Sequence, residues 1–454
     1  MGAYIEYAKG GTDLRTKGTI SCWVKRSELG REQYVWGWGE NNSSDAYLRF
    51  DAADNLEMHC DGADGTFNST QLYRDVNGWY HIVFSLDGAN ATANLRRRLW
   101  VNGVQIDEGK SGISAFSAAV MGWHSTQDLW IGANPRQQQS SGHQYFNGLI
   151  SHFHYCSNNS YAASDFGETD SVTGEWKIKT NPSVNYGSEG FFLKMENSAN
   201  MDLDSSSNNK TLTTTGTVTA TQDSPSNIFC SGNPLARFGG NLNYANGNNH
   251  ITGAANNWTM GAATLGASSG KYYYECKILS AGTGSGYTKV GFISDQAQSS
   301  SAGHNAVGAL DGGYAFYQQN GNLEVRTDDA VISGYDGGTL GIALTNNDIM
   351  CIAVDMDNKK AYMRKNGDAW IKSANPVTGT NGLDISSDYP AGSTKMMIPA
   401  FAIYYPGTAA LNFGNGYFGS TAVSSAGTNA SGIGIFEFDV PTGYTALCTK
   451  GLNE

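Results

Sequence analysis

Short apolar runs, each closed by Asn, Asp or Gly, recur along the whole chain, and one such unit is written twice. Near the start, "WYHIVFSLDGANATANLRRRLWVNGVQI" runs apolar over 79–86, turns at Asp87-Gly88, returns, and ends at Asn102-Gly103. Far downstream, "IMCIAVDMDNKKAYMRKNGD" runs apolar from Ile349 to Val354, reverses through Asp355-Met356-Asp357-Asn358, returns over Ala361 to Lys365, and ends at Asn366-Gly367. Asn and Gly tolerate positive φ, which tight hairpin turns require. Further strand-like runs lie at 18–25, 33–38, 46–50, 98–102, 128–132 and 147–155, then at 271–279, 288–293, 313–318, 322–326, 360–365, 396–404 and 410–413. Apolar residues at three-four spacing are nearly absent. The chain reads as all-β.

Composition agrees. Charged residues are 15% of the 454, and Gly numbers 57 against 9 Pro, with 24 Tyr, 18 Phe and 10 Trp. Glycine with abundant aromatics suits short strands and tight turns. So many strands exceed one sandwich. The expectation is two tandem antiparallel β-sandwiches (jelly rolls), each built round one copy of the repeated hairpin. The boundaries read as 1–200, a polar linker over 201–234, and 235–454. The stretch round it, "ENSANMDLDSSSNNKTLTTTGTVTATQDSPSNIFCSGNPL" from Glu196 on, has small polar residues where a core would need apolar ones, and reads as a linker or as a strand pair followed by a linker.

A net charge of −12 excludes a nucleic-acid binder, which needs a basic face. The one basic run, Arg96-Arg97-Arg98, reads as a solvated hairpin edge. No apolar stretch is long enough to span a membrane, so no membrane insertion is expected. "MGAYIEYAKGG" has neither the charged nor the apolar region of a secretion signal. The seven cysteines are scattered and odd in number, mostly inside apolar runs, and read as free buried thiols of a reducing compartment.

The quoted pieces carry a resemblance. "GTISCWVKRS", "WYHIVFSLDG", "LWVNGVQI", "LWIGAN" and "FNGLISHFHY", in that order, resemble the laminin-G/pentraxin-like branch of the concanavalin A-like jelly rolls. "GKYYYECKI", "KVGFIS", "DIMCIAVDMDNKKAYMRKNGD", "MIPAFAIY" and "LNFGNG" resemble a SPRY (B30.2-like) sandwich. The segments "DSPSNIFCSGNPL" and "FDVPTGYTALCTKGLNE" look like pieces that recur in virion-associated proteins of bacteriophages. The resemblance implies a virion-surface protein, assembled in the host bacterial cytoplasm, whose partners are other virion proteins and a host surface glycan.

A jelly-roll glycosidase presents paired carboxylates on one strand face. Glu437 and Asp439 precede Pro441 in the other sandwich, Asp202 and Asp204 lie in a polar tail, and Asp355 and Asp357 read as turn caps. No catalytic pair is expected. His152 and His154 alternate in "SHFHY", which places both on one strand face about 7 Å apart, as half-exposed surface residues without further metal ligands. Some relatives of the first type bind calcium through loop carboxylates, and Asp51, Asp54, Asp61 and Asp64 are the candidates here, though the family pattern is not matched residue by residue.

For ligand binding, Trp36 and Trp38 share a strand face beside Glu40, Asn41 and Asn42, and Trp123 and His124 sit in the loop "MGWHS". Sugar rings stack on such aromatics while amides and carboxylates bond the hydroxyls. Residues 294–306 and Tyr335-Asp336 are rims for the second sandwich. The leading reading is a non-enzymatic tail-fibre or host-attachment module, expected as a homo-oligomer. A capsid or baseplate decoration protein is the rival, with a polysaccharide-degrading enzyme third.

Overall fold

The computed structural model describes residues 2–9, 16–39, 46–60, 66–106, 128–134, 145–238, 242–253, 258–280, 287–297, 307–319 and 321–453. The chain forms two units, Met1–Ala220 and Thr221–Glu454. Both are stacks of antiparallel sheets, so the all-β expectation holds. Among the described residues helix is confined to single turns such as Ala163–Phe166 and Gly337–Leu340.

In the first unit a seven-stranded sheet runs in the order Thr213–Thr215, Tyr4–Tyr7, Leu129–Ile131, Gln33–Trp38, Ala46–Phe50, Asn55–Cys60 and Thr66–Leu72. A six-stranded sheet runs Phe191–Leu193, Gly148–Ser157, Lys17–Arg26, Tyr80–Asp87, Arg97–Val101 and Val104–Gln105. Their facing sides bury Ile20, Cys22, Val24 and Phe84 against Trp36, Trp38, Leu48 and Met58. The other side of the six-stranded sheet lies under residues 161–186, with Phe166, Tyr161, Trp176 and Tyr186 packed on Val83, Trp100 and Cys156.

The second unit repeats the plan with another sequence. Its seven-stranded sheet runs Gly232–Phe238, Trp258–Ala263, Met397–Tyr404, Tyr287–Ser294, Tyr314–Gln319, Asn322–Thr327 and Ala330–Val331. The opposing sheet centres on Lys271–Ser280 between Thr408–Asn412 and Ile349–Asp355. Tyr272, Tyr274, Cys276 and Ile278 point into the main core, while Tyr273 joins a second layer with Phe436, Val440 and Tyr444 from the C-terminal segment.

The repeated hairpin is the same device in both units. Asn102 (φ 47°) and Gly103 (φ 78°) match Asn366 (φ 47°) and Gly367 (φ 76°). The His81 amide donates to Asn102 Oδ1 at 2.7 Å, and the Ile349 amide to Asn366 Oδ1 at 2.7 Å. In return the Asn102 amide donates to the His81 carbonyl and the Asn366 amide to the Ile349 carbonyl. Each Asn thus occupies a left-handed position and pairs an amide near the start of the hairpin. The acidic turn also caps as expected, with Asp355 accepting from the Asp357 and Asn358 amides.

Three expectations differ in detail. Residues 201–234 are no free tether: Thr213–Thr215 pairs with Tyr4–Tyr7, and Phe229 and Cys230 are buried in the second unit. A polar edge strand needs only one partner, so its sequence carries no apolar period. Arg97 is buried at 2% exposure and is not part of a solvated edge. His152 and His154 do not alternate on a regular strand, because a register shift falls between Ser151 and His154 and His152 takes φ 47°. The seven cysteines are all buried, and none forms a disulfide among the described residues.

The C-terminal layer is held by a buried carboxylate. Glu275 accepts from Tyr273 Oη (3.0 Å), Asn412 Nδ2 (3.1 Å) and the amides of Glu437 (3.0 Å) and Phe438 (2.9 Å). Burial pushes its pKa up to about 7, against the pull of those donors. The folded state therefore holds the proton more tightly than the unfolded chain. Its stabilising effect is complete below about 4.5 and is lost as pH rises through about 7, a span worth about 3 kcal/mol. Urea denaturation of the second unit should show that decline between pH 5 and 8, and Glu275→Gln should flatten it. Asn366→Ala removes an acceptor from a strand amide and forces Ala into positive φ. It should cost about 2 kcal/mol by the same measurement.

Candidate functional site

The outer face of the first unit's seven-stranded sheet carries one continuous row. Cross-strand register places Thr213, Glu6, Trp130, Gly37, Tyr47, His59 and Thr66 opposite one another in turn. At about 4.8 Å per strand the row is roughly 29 Å long. It arises because each strand alternates. In "AYLRF" Ala46, Leu48 and Phe50 are buried while Tyr47 and Arg49 are half-buried, and in "NLEMHC" Leu56, Met58 and Cys60 face the core.

Two flat aromatic stacks stand on this row. Tyr4 lies on Trp130 with centroids 3.9 Å apart and 13° between planes, and Tyr47 lies on His59 at 5.0 Å and 21°. Between them Gly37 presents no side chain, and the Asn134 side chain lies over it, so that an added Cβ would come within 2.9 Å of Asn134. The Asn134 side chain thus fills the space above Gly37 between the two ring stacks.

A charged clamp underlies the Tyr47 side. Arg49 grips Glu57 through Nε–Oε1 (2.9 Å) and Nη2–Oε2 (3.1 Å), and Tyr47 Oη donates to Glu57 at 2.7 Å. Arg49 Nη1 also donates to Tyr34 Oη at 3.1 Å and pairs with Glu32 at 3.2 Å. Burial disfavours the Arg49 charge, but Glu57 and the neighbouring phenols outweigh it and hold its pKa above the ordinary value. Burial and the Glu57 carboxylate push the Tyr47 phenol up, so it stays a neutral donor. At the other end burial, then the Asp128 carboxyl, raise Glu6.

Trp36 and Trp38, expected as a ligand platform, are both 0% exposed. They do share a face, but it is the core face, where Trp36 meets Phe84 and Trp38 meets Tyr155. The residue between them, Gly37, is the one that faces outward. Trp123 and His124 lie outside the described residues, as do Glu40, Asn41, Asn42, Asp61 and Asp64. Of the two described calcium candidates, Asp54 is neutralised by Arg26 Nη2 and Arg74 Nε, both at 3.0 Å. Asp51 Oδ1 accepts from the Ala53 and Asn55 amides. Among the described residues no group of three His, Cys, Asp or Glu gathers to hold a metal.

The other candidates are structural. His154 is buried on Phe192 (3.9 Å) with Nδ1 3.0 Å from Tyr186 Oη, and burial holds it and His152 neutral. Asp204 accepts from the Phe192, Ser206 and Lys210 amides, Glu437 from Ser424, and Asp439 from Thr428. Asp336 caps its one-turn helix, and Lys372 Nζ sits 5.5 Å from the Tyr335 ring. One buried pair looks reactive: Ser21 Oγ is 2.9 Å from His81 Nε2. However, Trp176 Nε1 donates to His81 Nδ1 at 3.0 Å, so Nε2 carries the proton and donates to the serine. Oriented this way, His81 cannot take the hydroxyl proton. Burial keeps it neutral, with a pKa of about 3.

Comparison with known proteins bears on the same region. The profile described as "Concanavalin A-like lectin/glucanases superfamily" matches residues 2–163. The first unit holds a concanavalin A-like domain. No curated protein matches the chain. Similar solved structures include the SPRY domain of human HERC1 (16% identity, TM-score 0.29, 40% of this chain and 96% of that one). A heptameric SAP-like pentraxin from Limulus polyphemus shows 12% identity and TM-score 0.27, covering 35% of this chain and 71% of its own. A putative carbohydrate binding protein from Bacteroides ovatus shows 15% and 0.32, covering 48% and 56%.

The outer row escaped the sequence reading because its members come from positions 6 to 213 and meet only through strand register. The polar alternation Tyr47/Arg49 and Glu57/His59 was the visible signal. Arg49→Met should leave Glu57, 6% exposed, without its guanidinium and lower stability by about 2–4 kcal/mol in chemical denaturation.

Proposed function

We propose that the protein is a non-enzymatic glycan-binding protein of a bacteriophage virion, acting as a tail-fibre or host-attachment module through the outer row of its first unit. One observation carries this reading: two flat aromatic stacks, Tyr4/Trp130 and Tyr47/His59, flank the Asn134 side chain that lies over Gly37. The half-buried rings of Tyr4, Tyr47 and His59 offer faces to the apolar side of a sugar, and the half-buried Arg49 offers a donor to its hydroxyls. Arg49 and Glu57 neutralise each other, which favours a neutral sugar on the row. The concanavalin A-like domain supports carbohydrate binding. The virion assignment rests on the resemblance of the segments round 223–235 and 438–454 to virion pieces. Seven free buried thiols fit assembly in a reducing cytoplasm. Many copies on one particle would multiply weak single-site affinity by about 10²–10⁴.

An oligosaccharide panel incubated with purified protein should show retention without cleavage products. Tyr47→Ala and Gly37→Leu should each weaken the retained glycan about tenfold or more, with Val172→Ala, at a 91% exposed position, as unaffected control. Cleavage products would make the protein an enzyme. Absence of any retained glycan, with immunogold label on capsid or baseplate, would favour the decoration role.

A further inference from the structure

On the outer face of the second unit's seven-stranded sheet one lysine is buried with no acceptor among the described residues. Lys289 stands opposite Ala402 on one side and Tyr317 on the other. Small Ala402, itself opposite Met260, leaves room for the lysine stem to cross toward the next strand. Its Nζ lies 4.7 Å from the ring centroid of Trp258 and 4.7 Å from that of Tyr317. The residue is only 4% exposed.

Two aromatic faces attract an ammonium, yet they accept none of its three N–H bonds directionally. Among the described residues Lys289 Nζ has only these ring contacts and no ion pair or hydrogen bond. The undescribed stretches 254–257, 281–286 and 298–306 contain no Asp or Glu that could supply an ion pair. The nearby cation Arg326 is already engaged, by Glu324 through Nε and by Asp329 at 3.8 Å, while its guanidinium lies 5.4 Å from the Tyr317 ring. Burial lowers the Lys289 amine to about 8, with Asp329 and Glu324 acting only at a distance and Arg326 opposing them. A buried ammonium in this condition calls for an oxygen anion.

The surroundings narrow the class of anion. Trp258 meets Tyr404 edge to face at 5.8 Å, and both are half-buried, so a partly open aromatic surface adjoins the ammonium. Phosphate or sulfate would match the charge and leave those rings unused. We propose that this face binds a carboxylate borne on a sugar ring, of the uronic-acid class, with the carboxylate on Lys289 Nζ and the ring against Trp258 and Tyr404. The site is separate in residues and in chemistry from the first unit's row.

The test is titration of the full chain with galacturonate, galactose, acetate and inorganic phosphate, followed by tryptophan fluorescence and calorimetry. Galacturonate should bind at least about tenfold more tightly than the other three. Lys289→Met, which keeps the apolar stem between the rings, should unfold cooperatively and lose galacturonate binding by about tenfold or more. Trp258→Leu should do the same, while Val172→Ala, at a 91% exposed position, leaves it unchanged. The proposal fails if folded Lys289→Met binds galacturonate as the parent does. It fails equally if the parent prefers phosphate or acetate, or does not distinguish galacturonate from galactose.

Discussion

A strand has two faces, and packing one sheet on another buries only one of them. What each sheet does with its second face organises this molecule. In the first unit the six-stranded sheet buries Val83, Trp100 and Cys156 beneath residues 161–186. In the second, the sheet centred on Lys271–Ser280 buries Tyr273, Cys351 and Ala353 beneath the C-terminal segment. The seven-stranded sheet of the first unit instead carries the half-buried Tyr4, Tyr47 and His59 on its second face, with Trp130 buried under Tyr4.

Polar groups make these second faces possible. A layer of irregular chain on a sheet must pair its own amides. Glu275 does this for Glu437 and Phe438, at the cost of burying a carboxyl whose pKa rises to about 7. In the first unit His81 plays a comparable part with neutral atoms, linking Ser21 to Trp176 across the covered face. On the presented row, Arg49 and Glu57 form the corresponding buried support under Tyr47. The same chemistry fixes a cover in one place and supports the row of outward-facing side chains in another.

Features held by local bonds were legible before the fold was known. Asn102-Gly103 and Asn366-Gly367 marked the repeated hairpin because each Asn bonds a residue on the adjoining strand and sits at a φ that few residues accept. Features set by pairing were not. The sequence "WGW" shows that Trp36 and Trp38 share a face, but only their neighbours decide that it is the core face. A bulge before His154 broke the alternation on which the histidine reading relied. The edge strand Thr213–Thr215 has no apolar signature, since Tyr4–Tyr7 supplies its partner. The candidate row, assembled across seven strands, could be read only once their register was known.

The central claim is that the first unit recognises a sugar on the row and nowhere else. Hydroxyl-radical footprinting of the whole chain, with and without a retained neutral glycan, tests it at residue level. The account predicts protection of Tyr4, Tyr47 and His59, with Tyr161 and Tyr186 on the opposite sheet unchanged. Protection of Tyr161 and Tyr186, with the row still fully reactive, would contradict it.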